Sequence, residues 1–269
     1  MKRKPLLLVL LVIVSLFVFA ALFAPGLAPY SPDTQDLCAG LSGPSGAHWL
    51  GQDKLGRDIL SRMIFGARVS LLVGVSVVLI SLCVGFLVGA LSGIFRGMID
   101  SAIMRVIDLL MAFPGILLAI ALAAVLGPGL GNVIFALSLL GWVGYARLVR
   151  GQVLVEREKA YVQSAIALGA GKLRIIFRHL VPNLAGPVLV QASFGIAGAI
   201  LAEASLSFLG LGTQSVPSFG SMLSHGLSFL RTAPHLTVFP GLAVFILVIS
   251  FNLLGDFVAD YLRVEEKRK

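Results

Sequence analysis

Charge is scarce in this chain. Of its 269 residues only 13% are Asp, Glu, Lys or Arg, against the ~25% usual for soluble domains. Hydrophobic residues make up 58%, and the mean hydropathy is +0.98. A water-soluble globular domain is excluded, and the composition is that of an integral membrane protein. Cysteine and histidine are also few, at 2 and 4. Cys38 falls in a connection and Cys83 in an apolar run, so a disulfide between them is not expected, and no His, Cys, Asp and Glu set has metal-ligand spacing. No histidine lies inside an apolar run, so an intramembrane enzyme would lack a base to set against a nucleophile. The balance of 21 basic to 13 acidic residues gives a net charge of +8. The basic residues do not gather in a soluble block with interleaved aromatics, so no nucleic-acid partner is predicted.

Nucleotide motifs are missing in an instructive way. "GAGKL" at 169–173 resembles part of a phosphate-binding loop, which would need Gly at 166 and Ser or Thr at 173. Ile166 and Leu173 stand there, so the chain carries no ATPase of its own. "GPGLGN" at 127–132 lacks the strand, helix and later acid of a dinucleotide site and reads as a tight turn. "GRDILSR" offers Asp58 and Ser61 with only His48 near, and no nucleophile is set against a base. It reads as an amphipathic structural lead into the second apolar run. No cofactor is expected.

What the chain has is apolar length. Six runs approach the ~20 residues that a helix needs to cross the hydrocarbon core: 6–24, 70–93, 109–126, 129–146, 184–211 and 238–255. Backbone groups find no water in a bilayer, so each is predicted as a helix. The first run follows "MKRK" and precedes "ALFAPG", as a signal peptide would, yet it exceeds the ~7–15 residues of such an h-region. It is predicted to be a retained helix.

With the N-terminus inside, Lys2, Arg3, Lys4, Arg96, Arg105, Arg147, Arg150, Arg157, Lys159, Lys172, Arg174, Arg178, Arg263, Lys267, Arg268 and Lys269 fall on the inner side. Lys54, Arg57, Arg62, Arg68 and Arg231 fall outside. The ratio of 16 to 5 predicts cytoplasmic N- and C-termini, because positive charge is retained inside. The division expected is 1–68 as the first transmembrane helix with an outer loop, 69–260 as a five-helix core containing a connection at 150–183, and 261–269 as a cytoplasmic tail.

That connection is a polar, basic island, "YVQSAIALGAGKLRIIFRHLVPN". Val162, Ile166 and Gly169 share one helical stripe, with Tyr161, Ala165 and Leu168 beside them. Leu173, Ile176, Phe177 and Leu180 repeat the spacing. The pattern predicts two short amphipathic helices meeting at "GAG" and closed by Pro182. Ala165, Ala167, Gly169 and Ala170 leave a surface of small side chains that another protein could approach closely. Periodicity alone favours a helix lying on the anionic leaflet.

Ionisable groups at membrane depth are functional candidates. Glu203 stands alone about 20 residues into the fifth run, near its outer end at ~1.5 Å per residue. It is a candidate for the translocation path or outer gate, with a hydrogen-bonded brace at "LSFLGLG" as the alternative. Asp108 is expected to pair with Arg105 or face water, and Arg96, Asp100 and Arg105 to form a solvated inner turn. No internal repeat is visible, which weakens an ion-coupled secondary transporter without excluding it.

The island resembles the coupling loop of ABC-importer membrane subunits, whose pattern is E-A-A, three residues, Gly, nine residues, then I-x-L-P. Here Gln163, Ser164 and Ala165 are followed by Gly169, then His179, Val181 and Pro182, with the Gly-to-Pro spacing kept. "HWLGQDKLGRDILSRMIFGARVSL", "MAFPGILLAI", "YARLVRGQVL", "EASLSFLGLG", "PSFGSML" and "FNLLGD" resemble, in order, stretches of the second permease subunit of dipeptide, oligopeptide and nickel importers. The likeness runs from about Pro29 to Asp260.

The resemblance implies an all-α membrane protein of six transmembrane helices with the type I ABC importer permease fold, in a bacterial-type inner membrane. It implies a second homologous permease subunit, two cytoplasmic ATPase subunits and an outer-face substrate-binding protein as partners. The island would be the coupling helix, contacting an ATPase through Tyr161, Gln163, Ser164, Ala165, Ala167, Leu168, Gly169, Ala170 and Pro182. Gln163 in place of the family's Glu removes one charged contact. Peptides are the implied cargo, with nickel as the alternative.

Overall fold

The computed structural model describes residues 4–266, apart from the side chains of residues 4, 172, 173 and 263–266. Lys2, Arg3, Lys267, Arg268 and Lys269 of the charge count lie outside the described residues, as does part of the expected 261–269 tail. Helices follow in the order α1 (Lys4–Leu22), α2 (Ala24–Leu27), α3 (Ile59–Phe95), α4 (Gly97–Met111), α5 (Gly115–Leu126), α6 (Leu130–Glu156), α7 (Ala160–Ala167), α8 (Lys172–Ile175), α9 (Val181–Phe208), α10 (Phe219–Leu227) and α11 (His235–Glu266). Among the described residues there is no strand, only an isolated bridge between Gln52 and Asp58. Five helices, α1, α3, α6, α9 with the turn before it, and α11, are long and apolar enough to cross a membrane. The pair α4 and α5 makes a sixth if counted as one broken span.

That pair departs from the predicted continuous span at 109–126. The two helices meet at an angle of 80°. The break falls at "AFP", since Pro114 disfavours helical geometry in the residue before it and cannot donate to the preceding turn. Arg96, Asp100 and Arg105 also differ from expectation. Only Arg96 is in a turn, with φ +49 beside Gly97 at φ +63; Asp100 and Arg105 lie within α4.

α3 is 37 residues long, about 55 Å at 1.5 Å per residue, well beyond a hydrocarbon core of ~30 Å. Part of it therefore extends beyond that core. Asp58 caps it, accepting from the Ser61 amide and hydroxyl, each at 2.7 Å, which satisfies an otherwise orphaned N–H. "GRDILSR" is the structural lead-in that its pattern predicted.

The bundle is closed by a glycine seam between α3 and α6. A Cβ on Gly85 would fall 2.5 Å from the Trp142 carbonyl oxygen, one on Gly89 nearly onto the Ala146 carbonyl oxygen, and one on Gly93 2.6 Å from a Val153 methyl. Removing side chains at these four-residue steps lets the two backbones touch, the usual means of joining helices where lipid gives no hydrophobic drive. Beside the seam, Val149, Val153, Val162, Leu180 and Leu184 form a buried core that joins α6, α7 and α9 at one end of the bundle.

Candidate functional site

The island forms that end. α7 is reached from α6 through "REK" and leaves through Gly169, whose φ of +82 is the left-handed geometry that glycine adopts without strain. The second predicted helix is not separate. α8 runs through a π-type turn, Ile176–Leu180, directly into α9. Pro182 does not close the island as predicted but lies in the first turn of α9, directly after the π-type turn.

One side of α7 is fastened to the fold. Val162 is fully buried in the core described above. Glu156, the last residue of α6, is buried and accepts from Lys159 Nζ and from the Tyr161 hydroxyl, both at 2.6 Å. Asn183 Nδ2 donates in turn to the Tyr161 oxygen at 3.1 Å, so one phenol joins α6, α7 and α9. Burial and then the Glu156 carboxylate push this phenol up to about 12. Since its neutral form is the one favoured by the fold, this contribution is complete below the ordinary 10.0 and lost as pH rises through about 12.

The other side is open. Gln163, Ser164, Ile166, Ala167 and Gly169 are exposed, and Leu168 is 89% exposed. Gln163 Nε2 donates to the Arg157 carbonyl and Ser164 Oγ to that of Ala160, each at 2.8 Å, which holds the rim of the helix in place. Ala165 and Ala170 are half-buried. Residues 161–170 of the predicted set thus lie together in α7 and the turn that follows it, while Pro182 is set apart at the base of α9. Ion pairs that the sequence reading missed brace the surroundings. Arg150 binds Asp100 through Nε at 2.5 Å and Nη2 at 2.7 Å, and Asp100 also accepts from Ser92. Arg96 pairs with Glu158 at 2.7 Å, and Asp108 with Arg147, not Arg105, at 2.5 Å.

Glu203 lies toward the far end of α9, 1% exposed. Its carboxylate accepts from Ser70 of α3 at 2.9 Å and from Ser207 one turn on at 2.7 Å. Both oxygens are therefore occupied. A cavity of about 320 Å³ between α3, α5, α6 and α9 is lined by Val77, Ser81, Tyr145, Gln191 and Gly195 among others, and Glu203 is not in its wall. Among the described residues no three His, Cys, Asp or Glu come together as a metal site.

Residues 1–44 match the N-terminal TM domain of oligopeptide transport permease C. Residues 84–264 match the binding-protein-dependent transport system inner membrane component family. The chain is 45% identical over 251 residues, covering 93% of itself and 83% of the relative, to the glutathione transport system permease protein GsiD of Pectobacterium atrosepticum. It is 41% identical over 263 residues to the dipeptide transport system permease protein DppC of Alkalihalophilus pseudofirmus, covering 97% and 86%. Against Escherichia coli strain K12, the probable D,D-dipeptide transport system permease protein DdpC is 40% identical, covering 97% and 88%. The fold is similar to inward-facing structures of the MetNI methionine ABC transporter, with a TM-score of 0.62 at 17% identity over 75% of this chain and 97% of that one. The helical bundle is thus the type I ABC importer permease fold, and the chain belongs to the family of binding-protein-dependent transport system inner membrane components.

Proposed function

We propose that the chain forms half of the translocation path of an ATP-driven importer of short peptides, paired with a second, homologous permease subunit. Two separate cytoplasmic ATPase subunits drive it, one of them docking on α7, and a binding protein delivers cargo at the opposite face. The observation that carries this reading is the two-sided character of α7. Fastened to α6 and α9 through Val162 and Tyr161, and presenting small residues with an exposed Leu168 outward, it can pass a push from a partner into two spans. A helix resting on lipid has no need of such fastening.

The chain itself performs no hydrolysis in this reading. The 16 to 5 distribution of basic residues supports cytoplasmic termini in a bacterial inner membrane, with α7 on the inside. The relatives' names, glutathione and dipeptide permeases, support short peptides as cargo. Glu203 acts as a brace between α3 and α9 and not as part of the path or its gate, since its oxygens accept from Ser70 and Ser207 and it is not in the wall of the cavity between α3, α5, α6 and α9. An ion-coupled transporter would want a carboxylate that can reach the path. Copurification of the tagged chain with stoichiometric ATPase subunits, followed by uptake of dialanine and of glutathione into vesicles holding the complex, tests this. A self-sufficient isolated chain would refute it.

A further inference from the structure

Two stretches that coupling leaves without a role, "GQDKLGRDILSR" and "LSFLGLGTQSVPSFG", meet at the end of the bundle opposite α7. Between them lies a cavity of about 310 Å³, walled by the start of α3, the loop after α9 and the start of α10. It is polar and biased toward hydrogen-bond donors. Arg57 and Arg62 both reach it, and both turn toward one acid. Arg57 Nε donates to Asp53 Oδ2 at 2.7 Å, and Arg62 Nε stands 3.7 Å from the same oxygen. The other Asp53 oxygen already accepts the amides of Leu55 at 2.8 Å and Arg57 at 3.0 Å. Arg62 Nη1 donates to the Pro32 carbonyl at 2.9 Å.

One carboxylate therefore serves two guanidiniums. Among the described residues no protein acceptor meets Nη1 or Nη2 of Arg57, or Nη2 of Arg62, although these side chains are only 14% and 6% exposed. Asp33 is the one further acid in the wall; its charge acts on Arg62, but neither arginine forms an ion pair or hydrogen bond with it among the described residues. His225 in the wall has its pKa lowered by burial and by Lys54, Arg57 and Arg62, with Asp53 opposing. Ser221, Ser224 and Thr213 add hydroxyls.

We propose that this cavity is a carboxylate subsite that receives the free carboxylate of a short peptide entering at the outer end. Guanidinium edges match a planar carboxylate in a two-pronged fashion that neither a lysine nor an amide reproduces. A space of this size holds a small solute. The subsite also touches the bundle's own brace, because Ser207, which lines it, donates to Glu203. A bound carboxylate is thus one hydrogen bond from the α3–α9 contact. The peptide assignment rests on the cargo proposed above, while the preference for a carboxylate does not.

The test uses the assembled complex in membranes, without binding protein, carrying Ser224→Cys with Cys38 and Cys83 replaced by serine. The rate at which a small neutral thiosulfonate labels this position from outside is measured with dialanine, dialanine amide or acetate present. Dialanine and acetate should slow labelling by about threefold at twice their dissociation constants. The amide should not, and Arg62→Gln should abolish the protection. Arg57→Gln, which removes the other guanidinium of the wall, serves if Arg62→Gln fails to assemble. Equal protection by the acid and the amide, or by neither, overturns the proposal. Labelling requires no transport, so a wrong cargo assignment would appear in uptake and a wrong subsite in the labelling rates.

Discussion

Glu203 shows what a single residue can and cannot disclose. An isolated acid in an apolar run is conspicuous in sequence because its burial is costly, and its position near the end of the span follows from helical rise. Its partner Ser70 is not conspicuous. It lies 133 residues away, and one serine among many in apolar runs carries no signal. The same holds for Asp100, whose partner Arg150 is 50 residues distant and is brought near only by the packing of α4 on α6. Glu203→Gln keeps an acceptor for one serine hydroxyl, and the other hydroxyl can turn to accept from the amide. Transport by this variant should stay near that of the parent chain. Glu203→Leu leaves both hydroxyls unpaired at about 1–3 kcal/mol each and should lower the yield of folded complex. Loss of transport in Glu203→Gln at normal protein level would instead make the carboxylate's charge part of the path.

At the scale of elements, five of the six apolar runs became single spanning helices, because length and hydropathy decide that outcome alone. The sixth, at 109–126, did not. Its apolar composition is compatible with either a straight span or a broken one, and Pro114 decides between them through local geometry that a hydropathy window averages away. The island misled for a related reason. Pro182 can end a helix or begin one, and the buried Leu180 and Leu184 draw the preceding turn onto the bundle so that α8 continues into α9. The glycine seam was legible as abundance but not as a contact. It is testable as one. Gly89→Val would force α3 from α6, an overpacking worth about 1–3 kcal/mol or more, and should reduce the monodisperse fraction in size-exclusion chromatography after detergent extraction. Gly131→Ala, at a position with open space, should leave that profile unchanged. Equal behaviour of the two would remove the seam's role.

At the scale of the molecule, the bundle has two unlike ends. One carries α7 with its ion-paired surroundings, and the other carries the capped start of α3, the Glu203 brace and the arginine-lined cavity. In the proposed orientation, which the count of basic residues supports, the first end faces the cytoplasm. A cysteine at Gly171 should accordingly react with an impermeant reagent only from the inner face and one at Gly46 only from the outer; reversed labelling would invert the whole account. The central claim is that α7 is the mechanical link. Ala167 is exposed, so Ala167→Arg leaves the fold of the chain intact while overpacking a partner's groove and burying an unpaired charge there. On a lipid surface the same arginine would add attraction. The decisive measurement is peptide uptake together with binding-protein-stimulated ATP hydrolysis by the reconstituted complex carrying Ala167→Arg. The account predicts that both are lost while the subunit remains inserted and abundant, and near-normal values of both would contradict it.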